Sequence, residues 1–391
     1  MFDQTTLTPP SQLLITQTDP KTGKSQPAFP LQTKAWTKMQ LVVKNALMFP
    51  TDVASFTTTY GTFEDMAEVQ KAISILKAIQ TTAKQYGDPQ TLISDLPTFQ
   101  SATTPPDSIY GHAVWLTAQT IFAAEQIQSW LKQGLTDIGQ ESDPQQRLDD
   151  LTELLTGQGG ITSYADALSQ NIATFTQKVG AFYATLNQEL TGPTNSLQVY
   201  MNRSTNIVTD AQTDVAADKQ LIDQLSDSIS EYNKEYIAFT VAACAAPLFA
   251  FIPIIGVAFA VADGVGFGVA AAEVKKKLDA AKTALENDKA LEAQKAALVT
   301  QLTSFNKSCA DVETDGKAFL NALGELQAGW SLFSGQITTN LSALTADDLK
   351  DWSAFMQRLG FENALSNWQL VETKAEAFYD TGFITFSGGS T

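Results

Sequence analysis

The chain has 391 residues, of which 44% are hydrophobic and only 17% charged, against about 25% in an ordinary soluble domain. With a formal net charge of −17 its surface as a whole repels a phosphate backbone, so no nucleic-acid partner is expected. The same acidity repels anionic lipid head groups, so any membrane contact has to come from apolar burial, a receptor or a partner protein.

In chain order, residues 1–30 are rich in Thr, Gln and Pro, with Pro9, Pro10, Pro20, Pro27 and Pro30, and read as an extended N-terminal arm. The start, Met1-Phe2-Asp3-Gln4, lacks a basic segment followed by an apolar one, so no obvious cleaved signal peptide is visible, and the chain is expected either to stay in the cytosol or to leave by a route without that signal. A helical stripe begins near Leu31 and is interrupted at Pro50. A second runs from about Thr62 to Tyr86, with Met66, Val69, Ile73, Leu76 and Ile79 at spacings of three and four. Pro89, Pro97, Pro105 and Pro106 mark a connection. Asp107-Ser108 is a cap signal for a helix reaching about Gly139. A shorter helix over 143–157 ends at the glycines of 157–160.

From Ile161 to Tyr236 the pattern is helical, with Gly192-Pro193 as its one strong breaker. Helix-forming residues resume at Val274 and continue to about Leu341. Thr345–Asp348 reads as another start, for a helix through Trp352, Phe355, Leu359 and Leu365 to Phe378. Gly382–Phe386 could form a short strand. Helices this long exceed what an ordinary globular domain uses, and they should pack nearly antiparallel as a bundle.

The segment between these helices decides the functional reading. From Ile237 to Ala262 there are 26 residues without a charge, and from Ile237 to Ala272 there are 36 with Asp263 as the only one. A single membrane-crossing helix needs about 20 residues, so the run is too long for one span. It is also punctured by Pro247, Pro253 and Gly256, which fits a hairpin with arms 237–252 and 254–272. The side chains expected to enter lipid are Ile237, Phe239, Val241, Leu248, Phe249, Phe251, Ile252, Ile254, Ile255, Val257, Phe259, Val261, Val265, Phe267 and Val269. At about 25 cal/mol per Å², each large one contributes on the order of 2 kcal/mol, which together exceeds the cost of one carboxyl group. Pro247, Pro253, Gly256, Asp263 and Gly264 are the turn and hinge candidates. Tyr232 and Tyr236 at one edge, and Lys275, Lys276 and Lys277 at the other, suit the membrane–water interface. The competing reading is an apolar hairpin buried in the core of a soluble protein.

Residues 205–236 and 274–305 are of similar length and can pair, with the apolar hairpin joining them. This arrangement resembles the cytolysin A family of α-helical pore-forming toxins, which includes haemolysin BL components and the motility-associated killing factors. The likeness covers residues 30–380 and rests on architecture and on the run 237–272. It implies an all-α, elongated bundle of long antiparallel helices with a small head holding a β-tongue or helical hairpin. The implied division is an arm over 1–30, a helical-bundle tail over 31–236 and 273–391, and a membrane-insertion head over 237–272. The implied function is that of a toxin component, secreted soluble, that inserts the hairpin into a target-cell membrane and oligomerises with itself or with sister subunits. An amphipathic second arm able to line an aqueous pore is not visible in the sequence. Two alternatives share the coiled-coil-plus-hairpin pattern: a translocator subunit of a contact-dependent secretion system, and a non-toxic membrane-associated scaffold.

Nothing in the residues points to catalysis, a metal or a cofactor. The one histidine, His112, has no Cys or carboxylate at ligand spacing and reads as structural or exposed. Gly264, Gly266 and Gly268 lack the strand, lysine and acidic partner of a nucleotide loop. The neighbours Asp149-Asp150 and Asp347-Asp348 do not face each other on a helix. If the chain reverses near Gly256, Cys244 and Cys309 stand roughly 60 Å apart along the body at about 1.5 Å per residue, too far for a disulfide. Two buried thiols are expected instead.

Overall fold

The structure is a computed structural model. It describes residues 3–18, 25–87, 98, 102–214, 220, 222–224, 226–227, 229–231 and 290–382. These form long helices with one small two-stranded sheet, an all-α architecture. The chain divides into two compact units, and two helices contribute to both. The first comprises Met1–Gln32, Leu96–Lys178 and Phe319–Gly382; the second comprises Thr33–Asp95, Val179–Ala318 and Phe383–Thr391.

In the first unit the N-terminal arm is ordered by pairing. Strands β1 (Ile15–Thr18) and β2 (Ser25–Ala28) run antiparallel, with Ile15 opposite Ala28 and Thr18 opposite Ser25. Leu7, Leu13 and Phe29 are fully buried, which accounts for why so polar a stretch holds its place. The Trp368 indole donates to the Leu7 carbonyl at 2.8 Å, and Phe29 meets Phe378 at 5.5 Å between ring centroids. The helices of this unit begin with α4 (Ile109–Ser129), capped by Ser108 as its sequence suggests: the Gly111 N–H donates to the Ser108 hydroxyl at 3.0 Å. A π-helical turn, Trp130–Gly134, leads into α5 (Leu135–Gln140). Helix α6 (Pro144–Thr156) has Asp143 as cap and Pro144 in its first turn. The unit closes with α12 (Trp352–Leu359) and α13 (Phe361–Thr381), and α13 lies along α4. Trp330, Phe333 and Trp368 form its aromatic centre.

The second unit holds α1 (Lys34–Met48), α2 (Val53–Tyr60) and α3 (Met66–Ala83), followed by α8 (Leu197–Met201), α9 (Ile207–Asp214) and α10 (Ala290–Ser308). Helices α7 (Ile161–Thr191) and α11 (Val312–Ser342) are shared with the first unit. Gln80 on α3 donates to the carbonyls of Leu47 and Phe49 at 3.1 Å each, satisfying the open end of α1. Phe49 meets Phe305 edge-on at 5.0 Å, and Trp36 lies 5.7 Å from Tyr86. At Gly316 a Cβ would stand 2.6 Å from the Tyr183 ring, so α7 and α11 approach there only because the residue is glycine.

Several stretches that read as single helices are broken, and each break has a local cause. Asp52 caps α2 by accepting from the Ser55 N–H, and Gly61 ends it at φ +83°; the sequence reading had no helix there. After α7, Asn195 adopts φ +55°. Asn206 then accepts from the Val208 and Thr209 N–H groups at 2.9 and 3.0 Å, so α8 and α9 stand where one helix was expected. The Gly360 backbone at φ +57° separates α12 from α13. Thr345 and Asp348 do form a capping box, but it opens only the short 3-10 turn Ala346–Leu349.

Candidate membrane-insertion segment and its supports

All fifteen side chains expected to enter lipid, from Ile237 to Val269, lie outside the described residues. So do the hinge candidates Pro247, Pro253, Gly256, Asp263 and Gly264, the interfacial Tyr232, Tyr236, Lys275, Lys276 and Lys277, and also Cys244 and the strand candidate after Gly382. Among the described residues no helix is long and apolar enough to cross a membrane. The structure does describe the two flanks from which the segment departs and to which it returns, and both belong to the second unit.

The flanks meet. Helix α9 packs on α10. Further along, the Lys307 ammonium lies 2.9 Å from the Asp227 carboxylate, 80 residues away in sequence. Both side chains are substantially exposed, so the pair contributes little stability. Its value is geometric: it places a residue before the apolar segment beside one after it. The apolar side of this pairing comes from Ile207, Val208, Ala211, Ile222 and Ile229 before the segment, and from Leu298, Val299, Leu302 and Phe305 after it. Buried spacings of three and four residues on both flanks are those of helix faces packed into a common core.

Polar atoms are trapped in the same core. The hydroxyls of Ser226, Thr300 and Ser304 are buried and have no hydrogen-bond partner among the described residues. An unmet buried hydroxyl costs about 1–3 kcal/mol. Alternating apolar patterning does not reveal this; it depends on which way each hydroxyl points. Nearby, Lys38 bridges Asp311 and Asp315 at 3.4 and 2.7 Å across the junction of α10 and α11. Cys309 at that junction is a free thiol, fully buried, and burial pushes its pKa up, so it is a poor nucleophile.

In the first unit, His112 is 2% exposed, with its ring 4.7 Å from Phe175 and 5.8 Å from Trp115. Burial first, and then the nearby Lys178 charge, lower its pKa to about 4, so the imidazole is neutral at physiological pH. This is a core histidine. Among the described residues there is no group of three or more His, Cys, Asp or Glu side chains able to hold a metal ion.

No family model matches the chain, and no curated protein does. Solved structures do match, over nearly the whole length. A toxin component of Bacillus cereus, HblL1, superposes with a TM-score of 0.52 at 15% identity, covering 91% of this chain and 96% of that one. Soluble SmhA of the tripartite α-pore-forming toxin Smh from Serratia marcescens gives 0.54 at 11% identity, covering 90% and 93%. A second crystal form of SmhA gives 0.54 at 9% identity, with 90% and 92% covered. At such low identity the likeness speaks for the fold alone. The chain has the helical fold of the haemolysin BL and cytolysin type of α-pore-forming toxin components.

Proposed function

We propose that this chain is a component of an α-pore-forming toxin. It is released in a soluble form, stores the segment 237–272 as an apolar head on a helical tail formed by 31–236 and 273–391, and inserts that head into a target-cell membrane. The pore or pre-pore assembles with further copies or with sister subunits, and no enzymatic step is involved. The N-terminal arm, residues 1–30, completes this division of the chain.

The observation that carries this reading is the union of a 36-residue stretch containing one charge with flanks that stand side by side at Asp227 and Lys307. A segment tethered at neighbouring points can enter a bilayer only as a returning excursion, which matches two arms of 16 and 19 residues better than one span. The shared fold with a soluble component of a tripartite toxin supports the soluble-to-membrane conversion and the expectation of partners. Strong acidity leaves apolar burial as the driving force.

The test is vesicle flotation and dye release with the purified chain, alongside the variants Phe251→Asp and Ile255→Asp. Binding by the parent chain and at least a tenfold loss in either variant is the expected result. Release by the chain alone identifies a self-sufficient pore former, and binding without release a component that needs sisters. Equal binding by parent and variants, or none to vesicles and cells alike, returns 237–272 to a soluble core and removes the proposal.

A further inference from the structure

A small cationic cavity lies in the second unit, among residues unrelated to the apolar segment. Lys71 on α3 and Arg203, two residues past α8, hold the same carboxylate. The Lys71 ammonium is 2.7 Å from Glu68 Oε1, and Arg203 donates through both terminal nitrogens, at 3.2 Å to Oε2 and 3.1 Å to Oε1. The Glu68 side chain is only 8% exposed, while those of Lys71 and Arg203 are 52% and 38% exposed. The three side chains together carry a charge of +1, with the Asp210 carboxylate near enough to act on the Tyr200 ring that also lines the cavity. An ammonium has three N–H donors and a guanidinium five, so both residues keep donors that Glu68 does not use.

Lys71 and Arg203 line a cavity of about 180 Å³ together with Ser74, Asn195, Ile75 and Val199. The side chains of Ser74 and Asn195 hydrogen-bond to no other described residue. Asn195 is the one described non-glycine residue with a positive φ, +55°, and a short amide side chain is among the few that tolerate it. The Arg203 guanidinium also lies 5.8 Å from the centre of the Tyr200 ring, which holds its plane. A drug-sized ligand needs at least about 300 Å³, so the space suits a small ion with a short substituent.

The donors define the occupant. Lys71 and Arg203 offer only N–H donors to the cavity, which disfavours a cation. Lys71 and Ser74 reach in from α3, Asn195 from the loop before α8, and Arg203 from the turn after it. Donors from three sides fit a tetrahedral oxyanion with several free oxygens better than a planar carboxylate. Ile75 and Val199, the latter 39% exposed, give an organic substituent an apolar wall. We infer that the cavity between α3, α8 and its preceding loop binds the phosphate group of a small phosphate ester. The group can belong to a soluble ester or to a lipid head group.

Calorimetric titration of the full chain with inorganic phosphate and with glycerol 3-phosphate, in chloride buffer, tests this without any membrane. Its failure is therefore separate from failure of the membrane-insertion reading. One saturable site is expected, bound more tightly by the ester. Lys71→Gln should weaken it at least fivefold, and Lys71→Arg should keep it within about twofold; the one side chain changed is half exposed, and both variants leave Arg203 on Glu68. A second arm adds phosphatidylcholine vesicles. If glycerol 3-phosphate displaces the chain from them in proportion to its occupancy, the source is a lipid head group; if it does not, the source is a soluble ester. No saturable heat with either ligand, or equal affinity in Lys71→Gln, overturns the inference.

Discussion

At the scale of single residues, the core is tuned by groups that are held neutral. His112 is the only histidine, so the imidazole contribution to acid sensitivity belongs to one ring. Its folded pKa is lowered to about 4, whereas an exposed imidazole titrates near 6.5. Above 6.5 neither the folded nor the unfolded chain binds the proton, and His112 imposes no penalty. As the pH falls below 6.5, the unfolded state gains a proton that the folded state refuses, so stability declines by up to about 1.4 kcal/mol per unit and levels off below the folded pKa. The full loss, reached below the folded pKa, is on the order of 3 kcal/mol. Glu189 and Glu376, whose pKa values burial raises, act in the opposite sense and gain stability as the pH falls. The comparison must therefore be made between variants. Thermal melts of the parent chain and of His112→Phe at pH 7.5, 6.0 and 5.0 should diverge steadily toward acid, the variant losing less. A constant difference in melting temperature across that range would show that the ring is not the sensor.

At the scale of elements, the flanks of the apolar segment combine a well-formed apolar face with three unmet hydroxyls, Ser226, Thr300 and Ser304. Such a pairing is less stable than its apolar area allows, which is what the proposed function asks of helices that separate on insertion. Thr300→Val keeps the shape and removes the buried polar atom, and should raise stability by about 1 kcal/mol; Ser304→Ala should do the same on the next turn. Under the proposed function, both should also slow vesicle insertion. A lower urea midpoint in Thr300→Val would mean that its hydroxyl is satisfied. These hydroxyls also mark where the sequence stops being legible. The apolar period gave α3, α6 and α7 to within a few residues, and α4 with the π-helical turn and α5 as one helix, because a packed face imposes its spacing on the chain. It did not give the breaks at Asn206 and Gly360. There, one side chain or one left-handed backbone decides, against helical neighbours on both sides. The pocket at Lys71 and Arg203 was equally hidden, since its residues stand more than 120 positions apart and are joined only by folding. By contrast, the run 237–272 is legible from composition alone, because no ordinary soluble helix dispenses with charge for so long.

At the scale of the whole molecule, two opposing fields act on the approach to a membrane. The net charge of −17 is long-range and repulsive toward anionic lipid, whereas apolar burial acts only at contact. The reach of the first is set by the Debye length, about 30 Å at 0.01 M salt and about 8 Å at 0.15 M. At low salt the repulsion therefore extends well beyond the surface and lowers the frequency of productive encounters; at physiological salt it is confined to near contact. Vesicles of zwitterionic lipid should bind the chain almost equally at both salt concentrations. Vesicles with about one-third anionic lipid should bind several-fold less at 0.01 M and recover most of the difference at 0.15 M, a recovery that reflects screening over the Debye length. A basic surface would give the reverse order, with anionic vesicles favoured at low salt. That outcome would mean that local cationic features, such as Lys71 with Arg203 or Lys275–Lys277, govern the encounter in spite of the overall charge, and the apolar segment would no longer be the first part of the molecule to engage lipid.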